Sequence, residues 1–168
     1  ESPLASALAS AGVTVTDTLD VADIAVVHAV DDAVSSFVDA GNAAVVLPGA
    51  DGRMVDDDGY RNLPAAESWN LVASLLYQDS DLVGDFCSDA RIGWAFEDLF
   101  PYDLVDDPDP ADEIHVGSVE GWLANWGSPL LVSDHGDGRI CRCTFRLTCA
   151  YGDHPTATAL LNRLLRTL

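Results

Sequence analysis

The sequence predicts an α/β domain with a mostly parallel sheet, closed by a C-terminal antiparallel hairpin. Three observations carry this. Two fully apolar runs, Ile24–Val27 and Ala43–Leu47, flank an amphipathic segment that stops at Gly41. Such runs mark strands buried on both faces, as in parallel sheets with short helical connections. A glycine-rich turn, Asp134–Gly138, separates the apolar Leu130–Val132 from the return strand Ile140–Leu147, which is the signature of a hairpin.

The elements follow in order. Ser2 and Pro3 suit the N-cap and first turn of a helix with Leu4, Ala7, Leu8 and Ala11 on one face, stopped by Gly12. Val13–Thr16 reads as a short strand and Ile24–Val27 as a buried one. Asp31 or Asp32 opens the next helix, which turns Val34, Phe37 and Val38 inward. Doubly wound folds usually begin with a strand; a helix comes first here, so the missing strand is expected upstream or through another connection order. Residues 49–67 read as a loop, 68–77 as a helix, and 84–127 as irregular structure with a short helix or two. On the return strand Cys141, Cys143, Phe145 and Leu147 alternate with Arg142, Thr144 and Arg146. The last helix starts with Asp153 or His154 as cap and Pro155 at its first position. Ala157, Leu160, Leu161, Leu164, Leu165 and Leu168 form its apolar face.

The 168 residues suit a single domain, and 48% hydrophobic residues suffice for a core. The formal net charge is −20, from 28 acidic residues (23 of them Asp) against 8 basic ones, all Arg. The acids are spread along the whole chain, which excludes a disordered acidic tail and a calcium loop. Adaptation to molar salt remains, where a Debye length of about 3 Å screens the self-repulsion. The expected compartment is the high-salt cytosol of a halophile. This charge opposes nucleic-acid binding. No stretch approaches the ~20 apolar residues of a membrane span. Neither a nucleic acid nor a membrane is an expected partner.

Candidate chemistry is sparse. Cys87, Cys141, Cys143 and Cys149 form no C-x-x-C pair, and Cys87 lies among acids that oppose a thiolate. His28, His115, His135 and His154 have no zinc-ligand spacing. Neither a metal nor a cofactor is expected. The acidic stretch 106–113 lacks the Gly and Glu of a calcium loop. Arg139, Arg142 and Arg146 gather in the hairpin, where the chain's own Asp residues are their expected partners. His28, which ends a buried strand, and Asp51, on the turn after residues 43–47, are the alternative candidates for a small hydrolase site. Trp94, Trp122 and Trp126 are candidates for stacking on sugar rings.

Several stretches carry a family resemblance: Phe37–Val46, Gly121-Trp122, Ser128–Leu131, Gly136–Ile140, Thr144–Leu147, Tyr151–Ala157 and Leu160-Leu161. Together they resemble the class I glutamine amidotransferase-like domains attached to glycoside hydrolases. Such domains occur in family 2 proteins and, as a trimerisation-like domain, in family 42 β-galactosidases. The resemblance implies a flavodoxin-like three-layer sandwich. A true amidotransferase carries a nucleophilic Cys on the turn after the strand equivalent to 43–47, and a His-x-Glu downstream. This chain has Pro48-Gly49-Ala50-Asp51-Gly52 at that turn and no His-x-Glu. The resemblance thus implies no catalytic residue in residues 1–168. They would form one accessory domain, cut from a longer haloarchaeal glycoside hydrolase of β-galactosidase-like activity. A catalytic barrel of about 250 residues would lie elsewhere on that polypeptide. The expected partners are that catalytic domain, a second copy of the chain, and a carbohydrate.

Overall fold

The computed structural model describes residues 2–55, 59–63, 75–77, 79–87, 91–120 and 125–168. Among these residues four α-helices run over Pro3–Ser10 (α1), Asp32–Asp39 (α2), Leu147–Ala150 (α3) and Pro155–Thr167 (α4). The strands are Ile24–Val27 (β1), Ala43–Val46 (β2), Tyr60–Asn62 (β3), Leu75–Tyr77 (β4), Asp103–Asp106 (β5), Glu113–Glu120 (β6), Asn125–His135 (β7) and Gly138–Cys143 (β8). Single 3-10 turns occupy Leu19–Val21, Gly84–Phe86 and Trp94–Phe96.

All eight strands join one sheet. β1 and β2 pair in parallel, as do β2 and β8. The other pairings, β8 with β7, β7 with β6, β6 with β4, β7 with β5 and β5 with β3, are antiparallel. β7 is long enough to serve two strands on one edge. Its residues 130–135 pair with β8 and its residues 127–128 with β5. β6 runs along its opposite edge.

This mixed sheet overturns the flavodoxin-like, mostly parallel sandwich. Parallel pairing is confined to the β1-α2-β2 unit and β8. A doubly wound sheet needs a helix between successive strands to return the chain. Between β2 and β8 the described residues hold only 3-10 turns, so their strands meet antiparallel. The strand beside β2, opposite β1, is β8 from the far end of the chain, which is the alternative connection order.

Local expectations divide in a similar way. Asp31 caps α2, its Oδ1 accepting from Val34 N at 2.9 Å. Ser2 and His154 precede α1 and α4 without a side-chain cap bond, leaving Pro3 and Pro155 as the starting signals. Val13–Thr16 is not a strand. The loop expected over 49–67 contains β3, and 75–77, expected to end a helix, form β4; residues 64–74 lie outside the described part. The return strand ends at Cys143 instead of continuing to Leu147.

The sheet separates two cores. On one face α1 and α4 pack over Val45, Leu47, Leu130, Val132, Cys141 and Cys143, joined by Phe96 and Phe145. Leu160, Leu161 and Leu164 are fully buried there, each contributing roughly 2 kcal/mol of apolar transfer. On the other face Val34 and Val38 of α2 cover Ala25, Ala44, Val46 and Ile140. Alternation along β8 sends Ile140 to one core and Cys141 to the other.

Candidate functional site

Parallel strands direct attention to their carboxyl ends, where ligands of α/β sheets gather. At the end of β1, His28 is exposed and its Nδ1 lies 3.0 Å from Leu47 O. After β2 the turn folds on itself. Gly49 N donates to Arg53 O at 2.8 Å, and Asp51 Oδ1 accepts from Arg53 N at 3.0 Å. Asp51 is thus a turn-capping residue. Thr148 Oγ1 of α3 donates to Pro48 O at 2.7 Å, fixing the start of the turn from across the sheet end.

Two arginines brace this region. Arg53 Nη1 bonds Asp103 Oδ1 at 2.9 Å, Asn62 Oδ1 at 2.8 Å and Tyr102 O at 2.8 Å. Arg146 donates to Asp98 O, to Phe100 O at 3.0 Å and to Tyr102 Oη at 3.1 Å. Both guanidinium groups approach the Tyr102 ring, with Cζ 5.0 and 4.7 Å from its centroid. Gly52 fits beneath them with φ of 79°; a Cβ there would lie 2.8 Å from Arg146 Cδ. These contacts are internal and close over the turn that follows β2.

The hairpin arginines bind their own chain, though not chiefly its Asp residues. Arg139 pairs with Glu113 at 2.5 Å and with Asp134 at 3.5 Å. Arg142 donates to Ser133 Oγ at 3.1 Å. In the stretch 106–113, Asp109 Oδ1 accepts from Ala111 N and Asp112 Oδ2 from Asp109 N, so these carboxylates cap local turns.

Cys87, Cys141 and Cys143 are held protonated. Cys141 and Cys143 are fully buried. Burial pushes Cys143 up to about 12 and Cys141 well above its ordinary value. Cys87 is pushed up to about 11 by burial, not by neighbouring acids. Cys149 is exposed. Of the candidate sugar-stacking residues, Trp94 is 86% exposed. Trp126 is half-buried, with its ring set against Gly117. Trp122 lies outside the described residues. Among the described residues no group of three His, Cys, Asp or Glu side chains is placed to hold a metal ion, and no helix is long and apolar enough to cross a membrane.

A more organised polar cluster lies on the other half of the sheet. A cleft of about 580 Å³ opens between the turn Asp79–Leu82, the start of β6, Arg139 of β8 and the end of α4. Its lining includes Ser80, Glu113 and His115. His115 is 6% exposed, and burial lowers its pKa and keeps the imidazole neutral. Ser80 Oγ lies 2.6 Å from His115 Nδ1 and accepts from Leu82 N at 3.2 Å. The hydroxyl can donate to Nδ1 or use its second lone pair to accept from it, so the contact holds the ring in either tautomer. The nearest carboxylate oxygen to Nε2, Glu113 Oε1, is 3.7 Å away, and the other oxygen of Glu113 holds Arg139. No local pattern marks this cluster: Ser80 and His115 stand 35 residues apart in no recognised motif.

A smaller hollow of about 420 Å³ separates Leu19–Ala22 from α2. No family model and no curated protein matches this chain.

Proposed function

We propose that this chain is an accessory domain of a halophilic glycoside hydrolase, serving in domain packing or assembly while the bond-breaking chemistry resides elsewhere on the polypeptide. The turn after β2 carries this reading. There Asp51 caps its own turn, Gly52 is roofed by Arg146 and Tyr102, and Thr148 ties down Pro48. The turn is built for rigidity and offers no reactive group. The family resemblance stated above is what suggests the parent class, and the charge of −20 supports a high-salt medium.

Under this reading the partner is the catalytic domain, and Trp94 is a contact residue. Its indole is 86% exposed and so free to be covered by a partner, and Trp is enriched among residues that anchor interfaces. Two measurements test the proposal. Purified chain in molar KCl, assayed on aryl β-galactosides and β-glucosides, is expected to give no turnover above the blank; turnover overturns it. The catalytic domain, expressed separately and added back, should blue-shift the fluorescence of the wild type more than that of Trp94→Phe. Equal shifts remove Trp94 from the interface, and no binding overturns the packing role.

A further inference from the structure

We propose that the cleft beside His115 binds a neutral polyhydroxylated ligand, a sugar residue, with one hydroxyl bridging His115 Nε2 and Glu113 Oε1. The gap of 3.7 Å between these atoms is too long for a direct hydrogen bond. It is short enough for one oxygen to touch both, accepting from the ring in its Nε2-H tautomer and donating to the carboxylate. The imidazole is more than nine-tenths buried, and Ser80 holds the ring in place through Nδ1. The ring is therefore pre-positioned and loses little freedom on binding.

The surrounding charges choose the ligand class. Asp79, Asp81, Asp112 and Glu113 line the cleft and repel anions. Arg139 already occupies the second oxygen of Glu113, which disfavours a second cation at the same carboxylate. A neutral ligand rich in hydroxyl groups satisfies both: its oxygens accept from His115 and Arg139, and its protons go to the carboxylates. The volume of about 580 Å³ accommodates a monosaccharide. The accessory-domain reading enters only in the choice of sugars as probes.

Saturation-transfer NMR of the chain in molar KCl, with D-galactose, D-glucose and methyl β-galactoside, tests the site. Transfer to at least one sugar is expected. It should fall at least tenfold in His115→Phe and Glu113→Gln and persist in Trp94→Phe. The imidazole nitrogen shifts of His115 should move on titration. Absence of transfer to every sugar overturns the proposal, as does transfer lost in Trp94→Phe but retained in His115→Phe. Preferential binding of putrescine over the sugars overturns the assignment to a neutral ligand. A circular dichroism spectrum matching wild type shows that each variant is folded; Ser80→Ala, which frees the imidazole without removing it, should weaken binding less than His115→Phe. Failure here leaves the accessory-domain reading standing, since that reading falls on glycoside turnover or on loss of domain binding.

Discussion

The buried carboxylate of Asp103 holds Arg53 and the backbone of Met54 together: Oδ1 accepts from Arg53 Nη1 and Oδ2 from Met54 N, each at 2.9 Å. One side chain of β5 thereby locks the loop that follows β2. Asp103 is 5% exposed while the Arg53 side chain is 41% exposed, so water screens part of the pair but not the bond to Met54. Asp103→Ala should cost about 2–3 kcal/mol, read from urea midpoints in molar KCl. A loss below about 0.5 kcal/mol, the scale of an exposed pair, would show that the lock does not matter.

The hairpin docks on the α2–β2 junction through Gly138. A Cβ at this position would run into the carbonyl oxygens of Val38 and Asn42, and Arg139 N donates to Asn42 O at 3.3 Å. Because both obstacles are backbone, they cannot rotate away. Gly138→Ala should destabilise by roughly 3 kcal/mol. Gly59→Ala, with open space around its Cβ but φ of 82°, should cost only about 1 kcal/mol. Equal losses in thermal unfolding would refute the close approach.

Acid should weaken the fold through His115. Burial, the largest cause, lowers its pKa below the ordinary 6.5; Arg139 acts in the same direction and Glu113 opposes it. The unfolded chain then takes up a proton at a pH where the native imidazole does not. Stability is full above about pH 6.5, declines as pH falls below it, and levels off once the native ring protonates. His115→Gln should flatten that part of the profile relative to wild type. Parallel profiles would count against a buried neutral imidazole.

Thiol reactivity should grade with position. In the native chain at mildly alkaline pH, iodoacetamide should modify Cys149 first and Cys87 slowly, since Cys87 is partly buried with its pKa near 11. Cys141 and Cys143 should react only after unfolding, because they lack both access and thiolate. Peptide mass spectrometry reads the order directly. Early labelling of Cys143 would contradict the packing of α4 over β8.

The elements legible in the sequence were those held by local chemistry. Asp31 and Gly41 bound α2, Pro155 starts α4, and the Asp134–Gly138 turn makes the hairpin between β7 and β8. β6 was missed because irregularities in pairing between Ile114 and Val116, and between Val116 and Ser118, disturb the alternation that marks a strand. It also buries His115 and Ser118, which read as polar. β5 was hidden for another reason: Asp103 looks like a loop residue until Arg53, 50 positions earlier, is brought beside it. Ser80 and His115 likewise acquire meaning only through tertiary contact, whereas the closed turn at Asp51 was foreseeable from its small and acidic residues.

The pairing of β2 with β8 also sets a schedule for folding. β6, β7 and β8 are neighbours in sequence and can zip up early, but β2 must find β8 across most of the chain. Contacts of such long sequence separation form late. During synthesis, the apolar edge of β2 is made long before the ribosome releases the strand that covers it. Until then Ala43–Val46 is an unpaired template for other chains. A nascent chain halted before residue 138 is therefore the species most prone to aggregate, and the thirty-one residues from Gly138 onward act as the closing step that removes the hazard.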